Sequence, residues 1–342
     1  MYPPYVRLSA RVNVEVSVLT GSGTIGNYNA HAMATVIFKK DSDPPRVYEI
    51  PVITGNALKH WHSIYLAETY EALGGRYLND LCKRGIGARG YTVDSTLVDN
   101  KLKVAESEAD AIKDLCNDIH GFLNPDQQIK RDSLVKVSFG VPVLEEEILE
   151  AVSKYSVIHN RVIPKEVSGK VEMMIFKQEY SSILYGLSIS MNLGMTLRPM
   201  YSGREVSGIQ NLDYERKLRI KASILALLPL LLGSASKQAR ALPISRIEET
   251  LLVVSQLPVP NIVHASYPDY IERSIELVRG YVSGVSGESK VSNLNTYIYC
   301  YSRAEARCPK EGIMDNAIQI KRFNDLGMLI REAADIASNM IK

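Results

Sequence analysis

Residues 156–197 constrain the fold more than any other stretch. In SVIHNRVIPKEVSGKVEMMIFKQEYSSILYGLSISMNLGMTL, Ile183, Tyr185, Leu187, Ile189, Met191 and Leu193 recur at every second position, the period at which strand side chains return to one face. Tyr180 belongs to the same run but lies one residue out of register. Upstream stand His159, Asn160 and Arg161 beside Pro164, followed by a basic, glycine-containing segment. The spacing predicts a polar cluster just before a protruding hairpin or loop that returns into a core strand. Asn and Arg offer several donors in fixed geometry to phosphate or to base edges, and His adds a planar stacking surface. The same residues also suit a turn stabilised by Asn160 with an ordinary surface Arg161.

The chain opens on a second alternating run. Val6, Leu8, Ala10, Val12, Val14, Val16 and Val18 share one side, and Arg7, Ser9, Arg11, Asn13, Glu15 and Ser17 the other. A half-covered strand is expected, with Arg7 and Arg11 on its polar face. Gly21, Gly23 and Gly26 then loosen the chain before another strand at about residues 30–38, either as a mobile surface loop or as a loop whose backbone donors reach phosphate. No dinucleotide fingerprint is present, because the strand, helix and distal acid are not arranged for one. Residues 47–53 read as extended and lead into Thr54, a helix cap. The helix beyond it groups Ala57, Leu58, Trp61, Ile64, Tyr65 and Ala72 on a buried face and Asn56, Lys59 and Ser63 on a polar one. Lys59, near the amides of the helix start, is placed to hold a backbone phosphate. Trp61 reads as core, and His60 and His62 do not share a helical face, so they make a poor metal pair.

Residues 75–133 change character and read as an inserted lobe: glycine turns carry Arg76, Lys83, Arg84 and Arg89, and residues 106–120 form an amphipathic helix ending at Gly121. Cys116 and His120 are four apart, with Cys82 as a distant third ligand, but no fourth ligand is near and no metal is expected. Four widely spaced cysteines do not make a disulfide scaffold in a chain of 342 residues, so a reducing, cytoplasmic setting is the expectation. No stretch approaches an apolar transmembrane span, and no membrane partner is expected. Residues 133–143 return to the sheet, and the acidic run after Leu144 is the wet side of a helix whose buried side is Leu144, Ile148, Ala151, Val152 and Tyr155. His159 has no nucleophile and carboxylate beside it, so no catalytic triad is read.

Net charge is only +2, so any polyanion contact has to come from local charge. Residues 198–246 carry nine Arg or Lys against three acids. A helix over residues 211–232, bent near Pro229, precedes the loop GSASKQAR, whose Lys237 and Arg240 suit either phosphate wrapping or a solvated connection. Further on, the pattern predicts a strand at 251–257, a helix around 270–278, a flexible 280–290 and helical periodicity over 314–340.

Taken in order, VYEIPVITGNALKHWHSIYLAE, CNDIHGFLNPDQQIKRDSLVKVSFGVPV and SVIHNRVIP before an extended insertion resemble the archaeal DevR-like family, the backbone subunits of type I CRISPR surveillance complexes; the likeness runs over residues 6–262. The resemblance implies an α+β fold: a modified ferredoxin-like or RNA-recognition-motif core with an inserted helical lobe and a thumb-like hairpin. The core is assigned to residues 1–74, 134–161 and 176–270, the lobe to 75–133, the thumb to 162–175 and a helical completion to 271–342. It implies CRISPR RNA, target DNA, further copies of the chain in a helical or crescent array and other subunits of the complex as partners, with no cofactor. The carried-over positions are Gly55, Asn56 and Lys59, and His159, Asn160 and Arg161; the glycine-rich loop of the family is matched at 233–240 by one Gly only. With Arg7, Arg11, Lys237 and Arg240, all of these except Gly55 make the expected RNA-binding set. A non-catalytic subunit is expected. Alternatives are a metal-dependent RNA-cleaving subunit using a lobe acid, Asp94, Asp99 or Asp118, and a protein scaffold without RNA.

Overall fold

Strand β1 (Tyr5–Ser17) is buried along nearly its whole length, on both faces, and everything else is laid against it. The computed structural model describes residues 2–39, 43–163, 169, 172–203, 205–233, 242–288 and 295–341. After β1 come β2 (Gly21–Ile25), β3 (Tyr28–His31), β4 (Met33–Phe38), β5 (Arg46–Pro51) and α1 (Gly55–Ala72). The lobe holds α2 (Asp80–Lys83), α3 (Glu108–Ala111), α4 (Leu115–His120), β6 (Phe122–Asn124) and β7 (Ile129–Arg131). The chain returns through β8 (Val135–Val137), β9 (Val141–Pro142), α5 (Glu146–Glu150), β10 (Ser153–Ile163) and β11 (Glu172–Asn192). It closes with α6 (Leu212–Leu225), α7 (Leu227–Gly233), β12 (Ile244–Ser255), α8 (Tyr270–Glu288), β13 (Thr296–Ser302), β14 (Gly312–Met314), β15 (Ile318–Phe323) and α9 (Leu326–Asn339).

The main sheet runs β14-β15-β13-β12-β1-β11-β3-β2, and β8, β9 and β10 also pair with β11. β1 is antiparallel to β11 on one side and to β12 on the other. The odd positions of β11 that alternate in sequence, Ile183 to Met191, are buried with Val6, Leu8 and Val12 against Leu58 and Leu66 of α1, Leu218 and Ile220 of α6 and Leu329 and Ile330 of α9. On the opposite face Leu251, Val253, Ile298 and Ile318 pack with Ile271, Val278 and Val282 of α8 and with Val259 and Ile262. The sheet is therefore covered on both sides, whereas a half-covered strand was expected for β1. β1 and β8 share one sheet through β11 although the whole lobe lies between them in sequence. Beyond Ser181, where β1 stops, β11 continues with β10 as a two-stranded arm, and there Tyr180 leaves the core phase to stack on Tyr155 at 5.9 Å.

Several local expectations are corrected. The glycine-rich stretch is a hairpin, β2–β3, docked on the arm: β3 pairs with Lys177 and Gln178, Tyr28 donates to Glu179, and His31 N donates to the same carboxylate at 2.7 Å. Residues 106–120 break into α3 and α4, and Tyr155 stands on β10 rather than on a helix. The helix after Asn211 ends at Leu225 and restarts at Leu227; Pro229 lacks an N–H and its ring meets the carbonyl four residues back, which is Leu225. α8 continues to Glu288 through the stretch read as flexible. Residues 314–323, read as helical, end β14 and form β15, where Ile318 and Ile320 return to one buried face at strand spacing.

The four cysteines are paired, Cys82 with Cys116 and Cys300 with Cys308, which overturns the expectation of free thiols. Cys82 of α2 and Cys116 of α4, 34 residues apart, meet because both helices pack against α1. Paired cysteines do not by themselves fix a compartment, since intracellular proteins of hyperthermophilic archaea also carry disulfides. Among the described residues no helix is long and apolar enough to cross a membrane.

Candidate nucleic-acid interface

Helix α1 begins where its backbone is pressed onto β8. Thr54 caps it by accepting from Ala57 N, and at Gly55 an added Cβ would lie 2.5 Å from the Val137 carbonyl oxygen, so only glycine fits that approach. One turn of helix then carries Asn56, exposed, and Lys59, half-buried, three positions apart and hence neighbours on the surface. Ser63, one further turn along and expected on the polar side, is buried because Arg89 from the lobe lies over it: Arg89 Nη2 donates to Ser63 Oγ and Nη1 to the His120 carbonyl, both at 3.3 Å.

This brings two cations together. Burial, and then the nearby Arg89, lower the Lys59 pKa; burial also lowers that of Arg89, against a small opposing pull from Asp114. Asp114 is itself buried and accepts from Asn79 N and Asn117 N, both at 2.9 Å. Neither Lys59 nor Arg89 forms an ion pair with an acid among the described residues. Beneath them His62 Nδ1 and His120 Nε2 lie 2.9 Å apart and fully buried, both held well toward the neutral form by burial. The seam between α1 and the lobe is thus a positively charged edge with an exposed amide beside it, the donor set that suits a phosphate oxygen. Sequence reading singled out Lys59 and Asn56; it named Arg89 only among the lobe's basic residues, because nothing in a string shows that a residue 26 positions on returns to Ser63.

His159, Asn160 and Arg161 lie elsewhere. They are consecutive positions of β10, opposite Phe176, Ile175 and Met174 of β11, and so belong to the arm itself rather than preceding it. The turn reading of Asn160 is thereby corrected: all three are in regular strand. His159 is half-buried with Nε2 3.4 Å from the Tyr180 hydroxyl, while Asn160 points to the other face and is exposed. The Arg161 side chain lies outside the described residues.

Arg7 and Arg11 are corrections. Both are buried under residues 257–267: Arg7 donates to the carbonyls of Val6, Met191 and Val259, and Arg11 to those of Ala265 and Tyr267 at 2.9 and 3.0 Å. Arg11 also lies 3.7 Å from Glu249 and 5.3 Å from the Tyr270 ring centroid. Neither is an open surface contact. Lys237 and Arg240 lie outside the described residues. The basic stretch 198–246 is also less available than its count suggests: Arg219 is fully buried, Lys221 pairs with Asp335 at 2.6 Å, and Arg216 with Asp213 at 3.1 Å.

The acids weighed for metal chemistry separate in the same way. Asp118 is fully buried between Arg131 at 2.6 Å and Arg219 at 3.0 Å. Asp94 is exposed and bonded by Thr92, and Asp99 is exposed with Lys101 at 3.3 Å. Cys116, expected beside His120 as a possible ligand pair, is bonded to Cys82, and His120 Nε2 lies against His62.

Comparison with known proteins gives the family. The description "CRISPR-associated negative auto-regulator DevR/Csa2" matches residues 8–275. This chain belongs to the DevR/Csa2 family. A relative from Thermoproteus tenax, "CRISPR-associated protein Cas7/Cst2/DevR", is 50% identical over 97% of this chain and 95% of its own length. One of the same description from Methanocaldococcus jannaschii is 35% identical over 80% of this chain and 88% of the relative. A third, "CRISPR-associated aCascade subunit Cas7/Csa2 2" from Saccharolobus solfataricus, is 28% identical over 78% and 84%. Among solved structures, a chain of a "CRISPR RNA-guided surveillance complex, pre-nicking" aligns with a TM-score of 0.49 at 12% identity, over 97% of this chain and 99% of that one.

Proposed function

We propose that the chain is a non-catalytic, CRISPR RNA-binding backbone subunit that lines up in copies along the guide and presents its spacer to target DNA, working with other subunits of a type I complex in the cytoplasm. The observation that carries the reading is the Lys59 and Arg89 pair beside Asn56, two cations without a carboxylate partner among the described residues, on a chain of the DevR/Csa2 family. Phosphate contacts of this kind position a strand without reading its bases, which is what a subunit repeated along any spacer requires. The strand order β12-β1-β11-β8, with α1 between β1 and β8 and α6 between β11 and β12, supports a ferredoxin-like core. The arm of β10 and β11 supports the thumb, with a base at Ser153 rather than Val162.

The test is salt-dependent binding of several unrelated RNA oligonucleotides by the original chain and by Lys59→Ala, Arg89→Ala and Arg161→Ala, each checked for folding. Weaker binding on every sequence, with a salt slope shallower by about one per removed phosphate contact, is expected. Unchanged affinity and slope in all three sink the assignment. RNA turnover with magnesium or manganese that is lost on Asp94→Asn would reverse the non-catalytic part.

A further inference from the structure

On the face of the sheet opposite α1, three strands bring a row of side chains into line. Arg7 of β1 is directly opposite Ser190 of β11, and Ser190 is directly opposite Lys136 of β8. Directly paired residues on adjacent strands have neighbouring side chains on the same face. In the next row Ser9 Oγ lies 2.7 Å from Ser188 Oγ, and Ser188 N donates to Ser138 Oγ at 2.8 Å. Asn261, from the segment that covers this face, closes the rim. Arg7, Lys136, Ser138, Ser188, Ser190 and Asn261 are the polar lining of a cavity of about 200 Å³.

The charge in this pocket is one-sided. Arg7 is 6% exposed and its guanidinium donates to three carbonyls and to the Asn192 side-chain oxygen, all neutral acceptors. Its Nε is buried without a hydrogen-bond partner. Burial lowers its pKa to about 10, with only a slight opposing pull from Tyr5, so it stays protonated at neutral pH. Among the described residues no carboxylate pairs with Arg7 or with Lys136, and the cavity lining contains no acid. A buried cation ordinarily has a counter-charge, because leaving water without one is costly. Arg11, four residues along the same strand, follows that rule with Glu249 at 3.7 Å; Arg7 does not. Lys136 is exposed, and neither its ammonium, the Ser190 hydroxyl nor the Asn261 amide has a side-chain hydrogen bond within the described protein. These three uncommitted donors converge on a cavity with the volume of roughly six waters, backed by an unneutralised guanidinium.

We propose that this cavity is a phosphate site, in which Lys136, Ser190 and Asn261 donate to the oxygens while the Arg7 charge, itself held by carbonyls, supplies the field behind them. The anion is either free inorganic phosphate or one phosphate of an RNA backbone. The inference is independent of the α1 interface, since inorganic phosphate alone is the first probe.

The experiment is a phosphate titration of the full chain followed by 31P line broadening, at fixed ionic strength in chloride, on the original protein, Lys136→Ala, Ser190→Ala and Lys130→Ala. Lys130 is an exposed lobe lysine over the Tyr201 ring and serves as the surface control. Saturable binding weakened about tenfold by Lys136→Ala and several-fold by Ser190→Ala, and unchanged in Lys130→Ala, is the expected result. Absence of saturable binding, or binding equal in all four proteins, overturns the proposal. A short RNA is then added as competitor. Displacement of phosphate assigns the site to an RNA phosphate, and persistence of phosphate binding beside bound RNA assigns it to the free anion. If RNA does not bind at all, the function proposed above fails while the phosphate titration still decides this site.

Discussion

Replacing Asp118 by Ala tests how the lobe is fastened to the core. The Asp118 side chain is fully buried and accepts from Arg131 Nη2 at 2.6 Å, from Arg219 Nη1 at 3.0 Å and from Leu197 N at 3.1 Å. Arg131 belongs to β7 of the lobe, Arg219 to α6 of the core, and Leu197 to the chain leaving β11, so one carboxylate joins three separate segments. Burial opposes the charge on Arg219, yet Asp118 first and Glu215 next raise its pKa above the ordinary arginine value. Removing the carboxylate leaves two guanidinium groups in a dry site. Arg131 retains Glu108 at 3.3 Å and Arg219 retains Glu215 at 2.7 Å, so neither cation is wholly stranded. Breaking a buried pair costs about 3–5 kcal/mol, and the surviving partners put this case near ~3 kcal/mol. Asp118→Asn keeps one acceptor but turns an NH2 toward an arginine, and should cost nearly as much. Guanidinium denaturation followed by circular dichroism, with disulfides intact, reads the loss as a shift in midpoint at constant slope. A loss below about 1 kcal/mol in the Ala variant would refute the idea that this carboxylate holds the junction.

Gly55→Ala should cost about 1–3 kcal/mol, because the new Cβ meets the Val137 carbonyl and the start of α1 has to shift; a variant as stable as the original in urea would show that no such approach exists. Reducing Cys82–Cys116 frees a loop spanning 34 residues and should destabilise the lobe by about 3–4 kcal/mol, read from denaturation of Cys82→Ser/Cys116→Ser; an unchanged midpoint contradicts the pairing. Burial lowers His62 to about 4 and His120 in the same direction, so the folded state holds these rings neutral while the unfolded chain binds protons below its ordinary value near 6.5. Their contribution is present above about pH 6.5 and is lost as pH falls toward 4, so stability should drop by a few kcal/mol between pH 7 and pH 4.5. His62→Phe should flatten that drop, and an equally steep profile in the variant would rule the pair out as its source.

What the sequence determined by itself were the features set by neighbours along the chain. Alternation at period two placed β1 and the core half of β11, because the strand face turned to the main core needs an apolar side chain at every second position. Thr54 before an apolar helical face placed the start of α1, since a cap acts on the amides of the next turn. The ordered motifs carried the family. Where only charge type and spacing were visible, the outcome depended on what the fold laid on top. Arg7 and Arg11 sit on the polar side of β1, as alternation requires, but residues 257–267 fold over that side and take up their donors. Arg219 counts as one more cation in a basic stretch, whereas in the fold it is the centre of an acid network reaching back to α4. Lys59 gains a second cation beside it only because Arg89 is brought to Ser63, and Arg7, Ser190 and Lys136 became a row only through the register of three strands. Hydrophobic periodicity is a local constraint that a string records; which charges end up neutralised is a long-range one, decided when the lobe closes on α1 and the covering segment closes on the sheet.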